Sequence, residues 1–521
     1  MHLQVIICFA LLIWWPDQRP FEAWLRAPGW VWAVAWVQVP LFGALSGAAS
    51  ALARRRLRRG GARAGAGQQL YHRAMIGLRL AAVSCFGGTL FLTEWPECVA
   101  AVEAIQAVPG LAGLVTLSPF LGSCAAMFAG FYGIDRAIHQ AVLTGRAWDG
   151  EVNHPAVWSF GPYLNFNIRH HLLVVAVPMM LVLTAFDLAD RYRAELVRWF
   201  RFSWAAEAMP GVAAAGVFLI APLLLRHIWT TSPLPDGPLR RELERICGRI
   251  HLRCREILIW HSGGMMVNAA VMGLLPRFRY VMLSDGLLES MTPAQIEAVF
   301  GHEAGHIRHR HIQFFLLFGV CSMLLVSAVI EALRLGVEHR MWQMDVLTMQ
   351  GVGVAVAVVL WGLGFGWISR RFERQADVFG AHCVSPDDVS ACKLPCSVHH
   401  EGPQENAPAG AVCATAAEVF TSALDKVAVL NGIPTEERSW RHSSIASRIR
   451  FLVGLAGDPV RARRFDRTVT RIKRTLLVTA LAGTAIACAY IWRHPIYGLD
   501  AGTKATATPV SVKHGAVKPM S

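Results

Sequence analysis

His302-Glu303-Ala304-Gly305-His306 is the stretch on which the reading of this chain turns. On a helix, histidines four apart lie on one face about one turn apart, so both imidazoles can hold one metal ion while Glu303 points at its open position. The same residues could instead begin a basic, solvated face, because Arg308, His309, Arg310 and His311 follow closely. A third protein ligand separates the two readings, since a catalytic zinc takes three side chains and one water and a helical pair supplies only two.

A long-spaced His…Gly…His site would need histidine at position 312, which is Ile312. Downstream, Ser369-Arg370-Arg371-Phe372-Glu373-Arg374-Gln375-Ala376-Asp377 offers Glu373 to close the ligand set. Asp377, one helical turn later, can accept the free N–H of a ligand imidazole and fix its tautomer. Taken alone, this Glu-x-x-x-Asp segment reads as an amphipathic helix with scattered charges. His309, on nearly the same helix face as His302, is the competing third ligand.

With these residues in hand, the chain resembles the HtpX-type integral-membrane zinc metallopeptidases, whose relatives include the CAAX prenyl endopeptidases. The resemblance runs from about Asp236 to about Leu455. Asn268-Ala269-Ala270 matches an Asn-Ala segment ahead of the zinc helix, and Val281 to Leu288 the strand and turn that follow it. Met291-Thr292-Pro293 leads into that helix, with Thr292 as expected N-cap and Pro293 in its first turn. Ser369 to Gly380 corresponds to the third-ligand helix. His442-Ser443-Ser444 with Arg448 resembles a His-Pro-Ser…Arg signature, with Ser443 where the family has proline. The fold class this implies is mainly α: a polytopic α-helical membrane protein with a gluzincin-like α+β metalloprotease domain carrying a small β-sheet.

Composition agrees with a membrane enzyme. The 521 residues are 54% hydrophobic and 17% charged, with a mean hydropathy of +0.39, too apolar for a soluble protein of this size. Apolar blocks fall at about Leu3–Trp15, Trp30–Leu52, Ile76–Trp95, Pro109–Ile134, Leu172–Ala189, Pro210–Leu225, Phe314–Leu335, Gly351–Ile368 and Leu476–Trp492, about nine spans in all. The first has no lysine or arginine before it and no small-residue cleavage pattern, so it reads as an anchor rather than a signal peptide. Arg54, Arg55, Arg56, Arg58, Arg59, Arg63 and Arg73 crowd one loop, which the positive-inside rule places in the cytoplasm, as in a bacterial inner membrane. Alternating from there, 227–312 and 370–473 share the cytoplasmic side, although the external loop from Asp190 to Glu207 then holds four arginines. The net charge of +14 fits an anionic-lipid contact and calls for no nucleic acid.

The expected organisation is an N-terminal multi-span region (1–226), a first catalytic part (227–312), a transmembrane hairpin (313–368), a second catalytic part (369–473), a last span (474–492) and a disordered tail (493–521). Of twelve cysteines, those in or beside spans read as small buried hydrophobes. Residues 383–413 form a polar, Cys-containing insertion. There a second metal at Cys392, Cys396 and Cys413, or a loop disulfide, stands behind free thiols as the reading.

The expected chemistry is peptide-bond hydrolysis with one catalytic Zn2+ on His302, His306 and Glu373. Glu303 serves as general base and then general acid. The resemblance makes His442 and Arg448 the partners of the oxyanion, while a surface salt bridge is the plain reading of Arg448. Met265, Met266, Val267, Asn268 and Ala269 are expected as an edge strand that pairs with an extended substrate. The partners implied are polypeptide substrates, membrane proteins foremost, and the lipid bilayer. Rival readings are a BlaR-type sensor metallopeptidase, a prenyl-protein endopeptidase, and a catalytically silent membrane scaffold or receptor of protease fold.

Overall fold

The computed structural model describes residues 5, 7–8, 23–59, 62–148, 158–200, 205–264, 266–341, 343–384, 392, 412–431, 433–437 and 439–493. Eight helices among these residues are long and apolar enough to cross a membrane: Pro28–Arg58, Ala66–Leu92, Leu111–Gln140, Phe160–Arg191, Gly211–Ile228, His311–Glu338, Thr348–Cys383 and Pro459–Tyr490. They coincide with eight of the nine apolar blocks; most of Leu3–Trp15 lies outside the described residues. Their flanks carry apolar side chains that no protein covers, such as Met323 at 72%, Leu363 at 71% and Ile486 at 70% exposure. Water would penalise such a belt, whereas a bilayer solvates it, and the helical backbone satisfies its own polar groups there. The chain is an integral membrane protein.

Between the fifth and sixth spans lies a four-stranded sheet of β1 (Thr231–Pro233), β2 (Glu256–Trp260), β3 (Ala269–Met272) and β4 (Tyr280–Ser284), in the order β1-β2-β4-β3. The β2–β4 pair is parallel; the β1–β2 and β3–β4 pairs are antiparallel. All five residues of β4 are buried, as expected for a central strand covered on both faces. Helices α1 (Pro238–Arg249), α2 (Pro293–Arg308), α4 (Gly366–Cys383), α5 (Ala414–Leu430) and α6 (Ile445–Val453) enclose one core with the sheet. Phe300 of α2 and Phe420 of α5 are almost fully buried in it. The hairpin of α3 (His311–Glu338) and the helix from Val346 to Val359 leaves this core and returns to it, and α7 (Pro459–Arg493) packs beside α3.

The substrate-strand expectation needs correction. β3 is the edge strand, but it begins at Ala269 and runs to Met272. Met266, Val267 and Asn268 precede it as irregular chain, and Met265 lies outside the described residues. The main-chain groups of these three are already used: Asn431 accepts from Val267 N–H and donates to its carbonyl, and Ser262 and Ser284 serve Met266 and Asn268. The two glycines ahead of them, Gly263 and Gly264, both adopt positive φ and form a turn rather than strand.

Candidate active site

Helix α2 begins on a reciprocal cap. Thr292 accepts from Gln295 N–H, the Gln295 side chain accepts from Thr292 N–H, and Pro293 occupies the first turn. Fixing the helix start fixes which face its histidines present. That face meets α4 at three glycines. A Cβ on Gly380 would stand 2.9 Å from both the Ala298 carbonyl and the His302 nitrogen; on Gly305, 3.1 Å from Ala376 Cα; on Gly301, 2.7 Å from Cys383 Cβ. With no side chain able to fit, the two backbones approach closely and lay Glu373 and Asp377 opposite His302 and His306.

Nε2 of His302 is 3.7 Å from one Glu373 carboxylate oxygen, and Nε2 of His306 is 3.8 Å from the other. The two Nε2 atoms are 3.3 Å apart, and one ligand atom from each residue lies within 4.8 Å of the others. Ligands at zinc–nitrogen and zinc–oxygen distances on a tetrahedron sit roughly 3.4 Å from one another. Donor types and spacing thus fit a zinc ion. Among the described residues this is the only such cluster. His309 is not part of it: its ring packs edge-on against Phe379 and stacks on His311.

The outer nitrogens of both imidazoles are engaged. His302 Nδ1 lies 2.9 Å from Asp377 Oδ1, the contact expected of Asp377. His306 Nδ1 lies 2.9 Å from Nδ1 of His311. Burial lowers the pKa of His306 to about 3, so this ring is neutral. At His302 burial also works against the charged form, but the hydrogen bond and charge of Asp377 prevail and the net shift is upward. Burial raises the Glu303 carboxyl to about 7, against the opposing pull of His302 and of the Val271 N–H, which donates to it. That last bond seats the general-base candidate directly beneath the edge strand β3.

The two expected oxyanion partners each contact an acid of this site. Arg448, buried at 7% exposure, donates from Nε and a terminal nitrogen to both oxygens of Asp377. The buried Asp377 carboxylate, needing a counter-charge, thus takes Nε and one of the two terminal nitrogens. His442 approaches Glu373 Oε1 with Nδ1 at 2.9 Å from the half-exposed side. Ser443, where the resembled signature has proline, adopts positive φ.

Sequence reasoning missed His311, Gln375, Lys473 and Asn431. His311 was placed with the solvated run, yet it is fully buried. Lys473 sits between Arg471 and Arg474 in a basic run, where nothing local sets it apart. Of the insertion, Cys396 lies outside the described residues, and the Cys392 and Cys413 sulfurs stand 3.5 Å apart.

Residues 233–423 match the model of peptidase family M48. A protein named Protease HtpX homolog from Aeropyrum pernix is 24% identical over 197 residues, covering 34% of this chain and 60% of that protein. Protease HtpX of Histophilus somni is 33% identical over 158 residues, covering 29% and 52%. CAAX prenyl protease 1 homolog of Arabidopsis thaliana is 25% identical over 173 residues, covering 31% and 39%. The crystal structure of S. mikatae Ste24p aligns with a TM-score of 0.43 at 14% identity, covering 84% of this chain and 100% of that one. Residues 233–423 are thus similar to peptidase family M48, and the same part of the chain is similar to proteins named HtpX and CAAX prenyl protease. The chain spans between about a third and three-fifths of the length of the first curated relatives it matches.

Proposed function

We propose that this chain is a membrane-embedded zinc endopeptidase that cleaves membrane or membrane-proximal polypeptides, misfolded or unassembled ones foremost. The observation that carries this reading is the convergence of His302, His306 and Glu373 at tetrahedral spacing, with half-buried Glu303 on the same helix under an edge strand. A zinc ion held there would activate a water and polarise the scissile carbonyl. Glu303 then takes the proton of the attacking water and returns it to the leaving amine, a role its pKa near 7 suits. Asp377, braced by Arg448, and His311 hold the two imidazoles in place. His442, the more exposed partner of Glu373, is the side chain available to a developing oxyanion. An extended substrate would add to β3 at Ala269–Met272 through main-chain hydrogen bonds, giving broad rather than sequence-specific recognition.

The catalytic parts (227–312 and 369–473) are placed on the cytoplasmic side. Support comes from the contacts they make with the N-terminal region (1–226). His72 approaches Glu437 at 3.7 Å and Trp260 donates to His170 at 2.7 Å, and both helix ends lie on the side of the arginine-rich loop. The hairpin (313–368) enters from α2 and returns into α4, which supports a site at the lipid boundary. Incubating purified wild-type and Glu303→Gln protein with an unfolded model substrate, with and without a chelator, tests the proposal; cleavage that survives both controls refutes it. The match to a CAAX prenyl protease homolog favours one second reading, a prenyl-protein endopeptidase, which prenylated and plain peptides offered in parallel would distinguish.

A further inference from the structure

His306 and His311 are five residues apart, a spacing that would place them about 140° apart around a continuous helix. Here α2 stops at Arg308 and α3 starts at His311, with Arg310 between them in the left-handed region at φ 56°. The break folds the His311 ring back, so that its Nδ1 meets Nδ1 of His306 at 2.9 Å. The ring lies flat on Phe372, with centroids 4.4 Å apart and planes within 8°. Its Nε2 is 3.0 Å from Gln375 Oε1. The same oxygen accepts from Lys473 Nζ at 2.9 Å, and Lys473 also donates to the His309 carbonyl at 2.9 Å.

Donor and acceptor roles along this chain follow from its far end. An ammonium only donates, so the amide atom facing Lys473 must be the oxygen, and the same oxygen then requires a proton on His311 Nε2. A neutral His311 is left with a lone pair on Nδ1, which must accept from His306 Nδ1–H. His306 therefore carries its proton on the outer nitrogen and presents a lone pair at Nε2, the atom in the metal cluster.

We infer that Lys473, Gln375 and His311 form a positioning relay that sets the tautomer of His306 and so its competence to bind metal. The relay deepens the zinc reading above and rests on it. It links a ligand on α2 to the last membrane span through residues that touch neither metal nor substrate. His302 is oriented by a buried carboxylate; its partner ligand is oriented by a neutral ring whose polarity is imposed from two residues away. Without Lys473 the Gln375 amide is free to turn its NH2 toward His311. Each proton along the chain then shifts to the other nitrogen, and His306 Nε2 becomes N–H, which cannot ligate.

The test uses full-length protein in detergent and reads zinc affinity by competition with a chromophoric chelator. Lys473→Met and His311→Phe should each bind zinc about 10- to 100-fold more weakly than wild type, the usual cost of losing an outer partner of a ligand. In Lys473→Met/Gln375→Glu the carboxylate can only accept, so the relay is polarised correctly again and affinity should return towards wild type. The bond to the His309 carbonyl stays lost in that double variant, so a merely structural role for Lys473 predicts no rescue. A double variant that binds no more tightly than Lys473→Met, or a folded His311→Phe that binds like wild type, overturns the relay. Wild-type protein that takes up no zinc overturns the peptidase reading itself, and the relay with it.

Discussion

Arg448 grips Asp377 with two hydrogen bonds, 2.9 Å from Nε and 2.5 Å from a terminal nitrogen, across 71 residues of sequence. Asp377 is fully buried and turns one oxygen towards His302 Nδ1 at 2.9 Å. Removing the guanidinium leaves an unpaired buried carboxylate, a loss of about 3–5 kcal/mol. Arg448→Ala should therefore lower the melting temperature of the zinc-free protein and weaken zinc binding together. Arg448→Lys, a point charge in place of a fork, should recover only part of either. Thermal melts with and without chelator would check both effects.

Glu303 is assigned to proton transfer rather than to metal binding. Glu303→Gln should lower turnover by about 10²- to 10⁴-fold while zinc affinity stays close to wild type. A parallel loss of zinc would instead make Glu303 a ligand.

The same residue gives a pH signature in the chelated protein. Burial raises its carboxyl from 4.5 to about 7, so the folded state prefers the protonated form. That contribution is complete below about pH 4.5 and is lost as pH rises to about 7. Because glutamine does not titrate, Glu303→Gln should gain stability relative to wild type across this window, by at most ~3 kcal/mol. Zinc favours the ionised carboxyl, so the difference should shrink when the metal is restored. Melting temperatures of both chelated proteins between pH 5 and pH 8 would show it; an unchanging difference contradicts the burial argument.

Gly380 allows the contact on which the site depends. A Cβ there meets Ala298 O and His302 N at 2.9 Å and the Phe420 ring at 2.5 Å. Gly380→Val should separate α2 from α4, costing about 1–3 kcal/mol by overpacking, and should lower zinc affinity more than Gly248→Val, where nothing lies within 4 Å of an added Cβ. Paired zinc titrations and melts would measure both.

Asn431 clamps the main chain of Val267 just ahead of β3, accepting at 3.1 Å and donating at 2.8 Å. Asn431→Ala leaves those groups unpaired and should loosen the entry to the edge strand, at about 1–3 kcal/mol. If substrate adds to that strand, KM rises while zinc affinity holds; steady-state kinetics would separate the two.

The local features of the site were legible. Four-residue spacing and the Thr292 cap with Pro293 on α2, and Asp377 one turn beyond Glu373 on α4, are each set within one helix, and eight of the spans showed as apolar runs. Nothing near Arg448 announced that Asp377 would take two of its nitrogens. One assignment failed where the deciding contacts are distant in sequence. The edge strand was placed four residues early because Met266 to Asn268 carry strand-like side chains, whereas Ser262, Ser284 and Asn431 capture their main-chain groups.

What the sequence by itself determined is the set of donors and the faces they share, since helical geometry converts spacing into direction without help from the rest of the chain. The tertiary structure alone decided which nitrogen of each imidazole is free and which partner holds the other. Those choices depend on hydrogen bonds between groups up to 98 residues apart. Such bonds have direction as well as distance, and only close packing at Gly301, Gly305 and Gly380, together with the helix break at Arg310, brings them into line.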